Sequence, residues 1–129
     1  GEPRLADDLR AIGIDPADID PAAATAATCD GIREIASTSA VSLLGLHYVL
    51  EGSKNGNKFI AMALRRGLNL TPGHGDTYLD PYGDEQRAKW QQFRTAMGAQ
   101  QYTSDEVDSI VGAAKSMFDS VSSICAAIA

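Results

Sequence analysis

An all-α fold is predicted by three observations. No stretch of the 129 residues sustains the apolar–polar alternation of a half-buried strand. Val107, Ile110, Val111, Ala114, Met117, Phe118, Val121, Ile124, Cys125 and Ile128 follow a nearly unbroken three-four rhythm, a stripe wide enough to face a core. Thr103 with Glu106 supplies a capping box just ahead of that stripe.

The remaining elements follow from their punctuation. Leu5, Leu9 and Ile12 recur at helical spacing between Pro3 and Gly13, proline suiting a first turn and glycine a C-terminal stop. From Ile14 to about Ala36, two Asp-Pro pairs and a threonine and alanine mixture with Gly31 predict a mostly irregular connection, broken at most by a short helix through the alanines at 22–27. Ser37 or Thr38 is expected to cap the next helix, whose apolar opening at 40–50 runs on through Arg66 and stops at Gly67. Gly52, Asn55, Gly56 and Asn57 lie in its middle, and each costs up to about 1 kcal/mol of helix stability relative to alanine. Something must compensate. Residues 69–83 are rich in turn residues and read as a surface connection, after which Asp84 is expected to cap a helix carrying Trp90, Phe93 and Met97 on one face.

Length and charge narrow the function. Residues 1–129 are expected to form a single domain, long enough to bury a core without disulfides. With 17 acids against 11 bases and a net charge of −6, the chain lacks the basic footprint of a nucleic-acid binder. It has no apolar run of membrane-spanning length, and Gly1-Glu2-Pro3-Arg4 is unlike a signal peptide, so a cytoplasmic protein is expected. Cys29 and Cys125 form no CxxC and are expected to be unpaired, with Cys125 in the core. No histidine or carboxylate pair has the spacing that sets two metal ligands on one helix face, so no metal ligand is assigned. Hydrolase elbows, P-loops and dinucleotide fingerprints are also missing.

The long central helix carries the informative pattern. At 100° per residue, Gly45, Gly52, Gly56 and Ala63 fall within about 40° of one another, a flank almost without side chains. Such a flank admits close approach either by another helix or by a flat ligand. Tyr48, one turn before Gly52, stands where its ring would wall a pocket. Lys54, Lys58 and Arg65 cluster on the opposite side with His47, a basic face expected to be solvated. His47 therefore points away from the glycines, and His74, between two glycines, is expected to be exposed.

The run Leu44-Gly45-Leu46-His47-Tyr48-Val49-Leu50-Glu51-Gly52-Ser53-Lys54-Asn55-Gly56 resembles the distal heme helix of the bacterial heme oxygenases. The Tyr82-Gly83 turn leading to Trp90-Gln91-Gln92-Phe93, and a closing helix centred on Ala114-Lys115-Ser116-Met117-Phe118, stand in the order that family uses. The likeness covers nearly the whole chain and resembles the C-terminal two thirds of such a protein. It implies an all-α, heme-oxygenase-like fold in which heme is both cofactor and substrate, lying between a proximal helix with a histidine and a distal helix whose glycines approach the ring. Gly52 and Gly56 match those glycines. The family reaction consumes oxygen and electrons from a reductase or ferredoxin and releases biliverdin, carbon monoxide and ferrous iron.

By the same resemblance Tyr48 lines the pocket, Arg94 matches a basic residue that some members place on a heme propionate, and Phe118 matches an aromatic near the pocket. The plain alternatives are a surface arginine and a core phenylalanine. Ser53 stands where several members carry an aspartate, so proton delivery would rest on water and backbone. The helices that carry the proximal histidine have no counterpart. Three accounts of that difference stand: a piece of a longer protein, a homodimer, or a shortened member that no longer degrades heme. The rival reading is accordingly a non-catalytic helical binding or interaction module, alone or as a dimer, that has lost the proximal iron ligand. The amphipathic stripe at 107–128 has too few partners within the chain, so association with a second copy or with a further segment is expected.

Overall fold

The computed structural model describes residues 2–129, for Glu2 the backbone alone. Among the described residues there are five α-helices and no strand: α1 (Glu2–Ala11), α2 (Ala23–Thr38), α3 (Leu43–Leu68), α4 (Gln86–Gly98) and α5 (Ser104–Ile128). They belong to two compact units. One comprises the chain up to Asp20 together with Gly52–Met97, and the other comprises Pro21–Glu51 and Gly98–Ala129.

In the second unit α2 and α5 pack together, and the 3-10 turn Ala40–Ser42 packs on both. Leu46, Val49, Ala113 and Met117 form the buried cluster, with Ile32, Ile35, Leu43 and Ala114 against it. α2 replaces the expected irregular connection. Its start lacks a side-chain cap, Ala22 standing at that position, and Gly31 lies within it. Three hydroxyls bond back to its own carbonyls: Thr28 to Ala24 at 2.8 Å, Ser37 to Glu34 at 2.8 Å and Thr38 to Glu34 at 2.9 Å. Such a sequence is weakly helical alone, and the burial of Ile32 and Ile35 decides the outcome. The helix therefore consumes Ser37 and Thr38, which were expected to cap its successor. α3 instead opens from the turn at Ala40–Ser42, where the Ser39 and Ser42 hydroxyls meet at 2.8 Å.

α5 has the expected cap: the Glu106 amide donates to Thr103 Oγ1 at 3.2 Å, and the Thr103 amide donates to Glu106 Oε2 at 2.8 Å. Its stripe is only partly used. Ile110, Ala113 and Met117 are buried, whereas Val107, Val111, Val121 and Ile128 are exposed and Phe118 is 61% exposed. Cys29 and Cys125 are free and both exposed, so Cys125 is not a core residue. The buried residues occupy one edge of the apolar stripe, and the exposed ones lie beside them along the same helix.

In the first unit α1 and α3 close in the same way. Gly13 takes φ 82° and Ile14 N–H donates to Leu9 C=O at 2.9 Å; Asn69 takes φ 52° and Leu70 N–H donates to Arg65 C=O at 3.0 Å. Asparagine tolerates this left-handed position, so α3 ends at Leu68 rather than at Gly67. Asp84 does not cap α4: it lies inside a 3-10 turn, Gly83–Glu85, that precedes the helix. Trp90, Phe93 and Met97 are half-buried on one face of α4, as their spacing predicts.

Carboxylates hold the 69–83 connection in place. Asp76, 1% exposed, accepts from Arg65 Nε and, at 2.8 Å, from the Gly73 amide; Arg65 Nη2 reaches Asp80 Oδ2 at 2.9 Å. The basic face expected to be solvated is thus partly enlisted: the hydrogen bonds that Arg65 donates to Asp80 and Asp76 raise its pKa further, and Lys54 Nζ lies 3.3 Å from the Tyr82 hydroxyl. Asp8 of α1 accepts from Thr77 Oγ1 at 2.8 Å and from the Tyr78 amide at 2.6 Å.

Burial alone would push the Asp8 pKa up. The hydrogen bonds from Tyr78, Thr77 and Gly75 outweigh it and hold the carboxyl below its ordinary value of 3.8. A carboxylate depressed in the folded state stabilises fully above that ordinary value and loses its contribution as pH falls through the lower folded one. Thermal melts on acidification should therefore show a steeper loss of stability for the parent protein than for Asp8→Asn; superimposable acid limbs would remove Asp8 from the account.

Candidate functional site

Local sequence puts Gly45, Gly52, Gly56 and Ala63 on one line along α3, but the line is about 27 Å long and its ends meet different neighbours. At Gly45, a Cβ would lie 2.1 Å from the Ile110 carbonyl oxygen and 2.9 Å from the Ala114 amide nitrogen, both backbone atoms of α5. This glycine serves helix packing. At Gly52, a Cβ would lie 3.3 Å from Trp90 Cη2 and 3.8 Å from Cζ2 and Cζ3, so the indole's benzo ring lies over the helix backbone. At Gly56 nothing comes within 4 Å. Of the two kinds of approach expected along this flank, a helix takes Gly45, and the flank stays open at Gly56, bounded on one side by Trp90.

The surroundings of Gly56 are apolar and accessible. Phe59 and Ile60, three and four residues on and hence on the same face, are 65% and 52% exposed. Lys58 Nζ stands 5.8 Å from the centroid of the Phe59 ring. Behind the flank, Asn55 Nδ2 donates to the Gly52 carbonyl at 3.0 Å, and Gln86 Nε2 approaches Asn55 Oδ1 at 3.4 Å. Gln86 is only 4% exposed, and its Oε1 has no partner among the described residues. Gln86 at the level of Asn55 and Trp90 at the level of Gly52 set α4 antiparallel to this part of α3.

The expected site residues are not all gathered here. Gly52, Ser53 and Gly56 share the helix, with Ser53 exposed and about 100° round from Gly52. Arg94 is exposed and lies one turn beyond Trp90, on the side away from Gly56, because α4 runs antiparallel. Tyr48 and Phe118 are exposed residues of the other unit, so the core alternative for Phe118 does not hold. His47 is exposed, with Nε2 3.5 Å from Glu51 Oε1, and His74 is exposed in its turn. Sequence reading missed Asn55, Gln86 and the role of Trp90. The i, i+4 pair Gln86 and Trp90, facing the same way from α4, was the available signal.

The second unit has a cleft of about 290 Å³ between α2 and α5, floored by Ile32, Ile35, Leu46 and Met117 and edged by Thr28, Ser116, Ser120 and Ser123. Thr28 and Ser123 donate back into their own helices, at 2.8 and 3.0 Å, and none of the expected site residues lines this cleft. Among the described residues no cluster of histidine, cysteine or carboxylate side chains suits a metal ion, and no helix is long and apolar enough to cross a membrane.

No curated protein and no solved structure matches the chain. The family model described as heme oxygenase matches residues 2–127. Its span takes in both units and every helix, consistent with the all-α architecture. With nearly the whole length matched, the chain belongs to the heme oxygenase family.

Proposed function

We propose that the chain binds heme against the Gly56 flank of α3, as one domain spanning 1–129, and that it serves oxidative cleavage of heme to biliverdin, carbon monoxide and ferrous iron. The observation that carries this reading is the open backbone at Gly56, bordered by exposed Phe59 and Ile60, within a chain of the heme oxygenase family. The fit is good for a porphyrin face: a flat apolar ring covers Phe59 and Ile60 and reaches main-chain atoms that any other residue would shield. The flank itself presents no histidine, since His47 projects to the opposite side of α3.

Bound heme supplies the iron at which oxygen is activated and the ring that is oxidised, with electrons from a reductase or ferredoxin. The chain's part is to orient and to exclude. Gly56 brings the backbone close, Gly52 admits the Trp90 ring that closes the neighbouring position, Phe59 and Ile60 displace water from the ring face, and Ser53 is the side chain proposed to hold ordered water. Arg94 is retained in the proposal as a cofactor-binding residue, through a charge-assisted bond to a propionate; Tyr48 and Phe118 belong to the other unit and are not assigned to this flank.

Titration with hemin, with imidazole added to provide the axial nitrogen, tests the reading. A saturable Soret change with quenching of Trp90, the single tryptophan, supports it, and biliverdin formation on adding reductant extends it to catalysis. A flat titration overturns it. The second reading, a helical interaction module, is favoured by one observation: His47, the histidine carried by α3, projects away from the glycine flank. Binding without turnover under reducing conditions selects it.

The exposed α5 stripe of Val107, Val111, Phe118, Val121 and Ile128 is proposed as an association surface for a second copy or a further segment. Light scattering at micromolar concentration should report more than one chain per particle. A strict monomer contradicts the homodimer.

A further inference from the structure

We infer that Trp90 is a specificity-determining stop: its benzo ring occupies the Gly52 backbone and confines a planar tetrapyrrole to the Gly56 end of the flank, in a single register along α3. The inference rests on the heme reading and deepens it. Three atoms of that ring, Cη2, Cζ2 and Cζ3, lie 3.3–3.8 Å from the position of a Gly52 Cβ, which is van der Waals contact with no room for a second flat ring between. One turn further, Gly56 has nothing within 4 Å. The same helix face is therefore closed at one glycine and open at the next.

A stacked ring supports the stop, and a polar contact one turn away ties α4 to α3. Trp90 stacks on Phe93 with centroids 5.7 Å apart and planes 18° from parallel. One turn before it, buried Gln86 approaches Asn55, which in turn bonds to the Gly52 carbonyl. A ring sliding from Gly56 toward Gly52 would have to displace an indole anchored by its neighbours on α4.

A thermodynamic cycle on hemin binding tests this, with imidazole present and circular dichroism as the check on folding. In the parent chain, Gly56→Leu should weaken hemin binding by about 10-fold or more, since a side chain then fills the open position. In a Trp90→Leu background the same substitution should cost less than about 3-fold, because the ring moves one turn to the uncovered Gly52. Equal losses in the two backgrounds overturn the inference while leaving the heme reading intact. A flat hemin titration of the parent chain overturns both together. Should Trp90→Leu fail to fold, Trp90→Phe keeps an aromatic beside Phe93 and withdraws the distal ring from Gly52, and the cycle is read on that variant with the same expected contrast.

Discussion

Gly45→Ala should lower the stability of the protein by about 3 kcal/mol or more, and urea unfolding followed by far-ultraviolet circular dichroism measures it. The added Cβ would sit 2.1 Å from the Ile110 carbonyl oxygen, 2.9 Å from the Ala114 nitrogen and 3.1 Å from the Ala113 Cβ. Two of these three atoms are backbone, so no rotamer change relieves the clash and α5 must shift as a body. Overpacking costs typically about 1–3 kcal/mol when side chains can yield, and here they cannot. Against this stands a helix-propensity gain of about 1 kcal/mol for replacing glycine by alanine. The clash wins because the displaced contact is the buried cluster of Leu46, Val49, Ala113 and Met117. Gly56→Ala is the matched control: the same substitution in the same helix, where nothing lies within 4 Å, should leave stability unchanged or raise it by up to about 1 kcal/mol. Similar effects at the two positions would show that α5 does not pack on Gly45.

Gly56→Leu should abolish most hemin binding without unfolding the chain. Leucine is a better helix former than glycine and the position is open, so the fold gains rather than loses. What it loses is access to the backbone. A branched side chain between Phe59 and Ile60 holds a flat ring off the helix by roughly the thickness of a methyl layer, which forfeits much of the dispersion and water exclusion that seating provides. Trp90 blocks the neighbouring position, so the ring has nowhere to go. The expected signature is a normal melting curve, a weakened Soret change and reduced hemin quenching of Trp90. Undiminished hemin affinity in this variant would place the ligand elsewhere and remove the Gly56 flank from the functional account.

The contrast between these two glycines shows how far the chain's text reaches. Their alignment on one face of α3 follows from helical geometry alone, and so does the opposition of His47 to that face. The capping box at Thr103 and Glu106 is equally local: both partners lie within one turn, and the bonds form as expected. α2 was not legible because its residues 23–38 lack a capping side chain and include Gly31; the helix exists where Ile32 and Ile35 find α5. The α5 stripe misled in the other direction. Its rhythm promised a covered face, yet Phe118 and Cys125 are exposed, since periodicity says which residues face one way and nothing of what stands opposite.

For the candidate site the division is the same. Sequence alone determined the helical class, the family resemblance, the bare flank and the identity of Gly52 and Gly56 as its centre. Only the tertiary structure decided that α5 takes Gly45, that the Trp90 ring takes Gly52 and that Gly56 is left open beside Phe59 and Ile60. The reason is physical: angular position around a helix is set by bonds between neighbouring residues, whereas the atom that meets a missing side chain comes from residues 38 to 69 positions away in the chain. No local pattern encodes that meeting; the packing of α4 and α5 on α3 does.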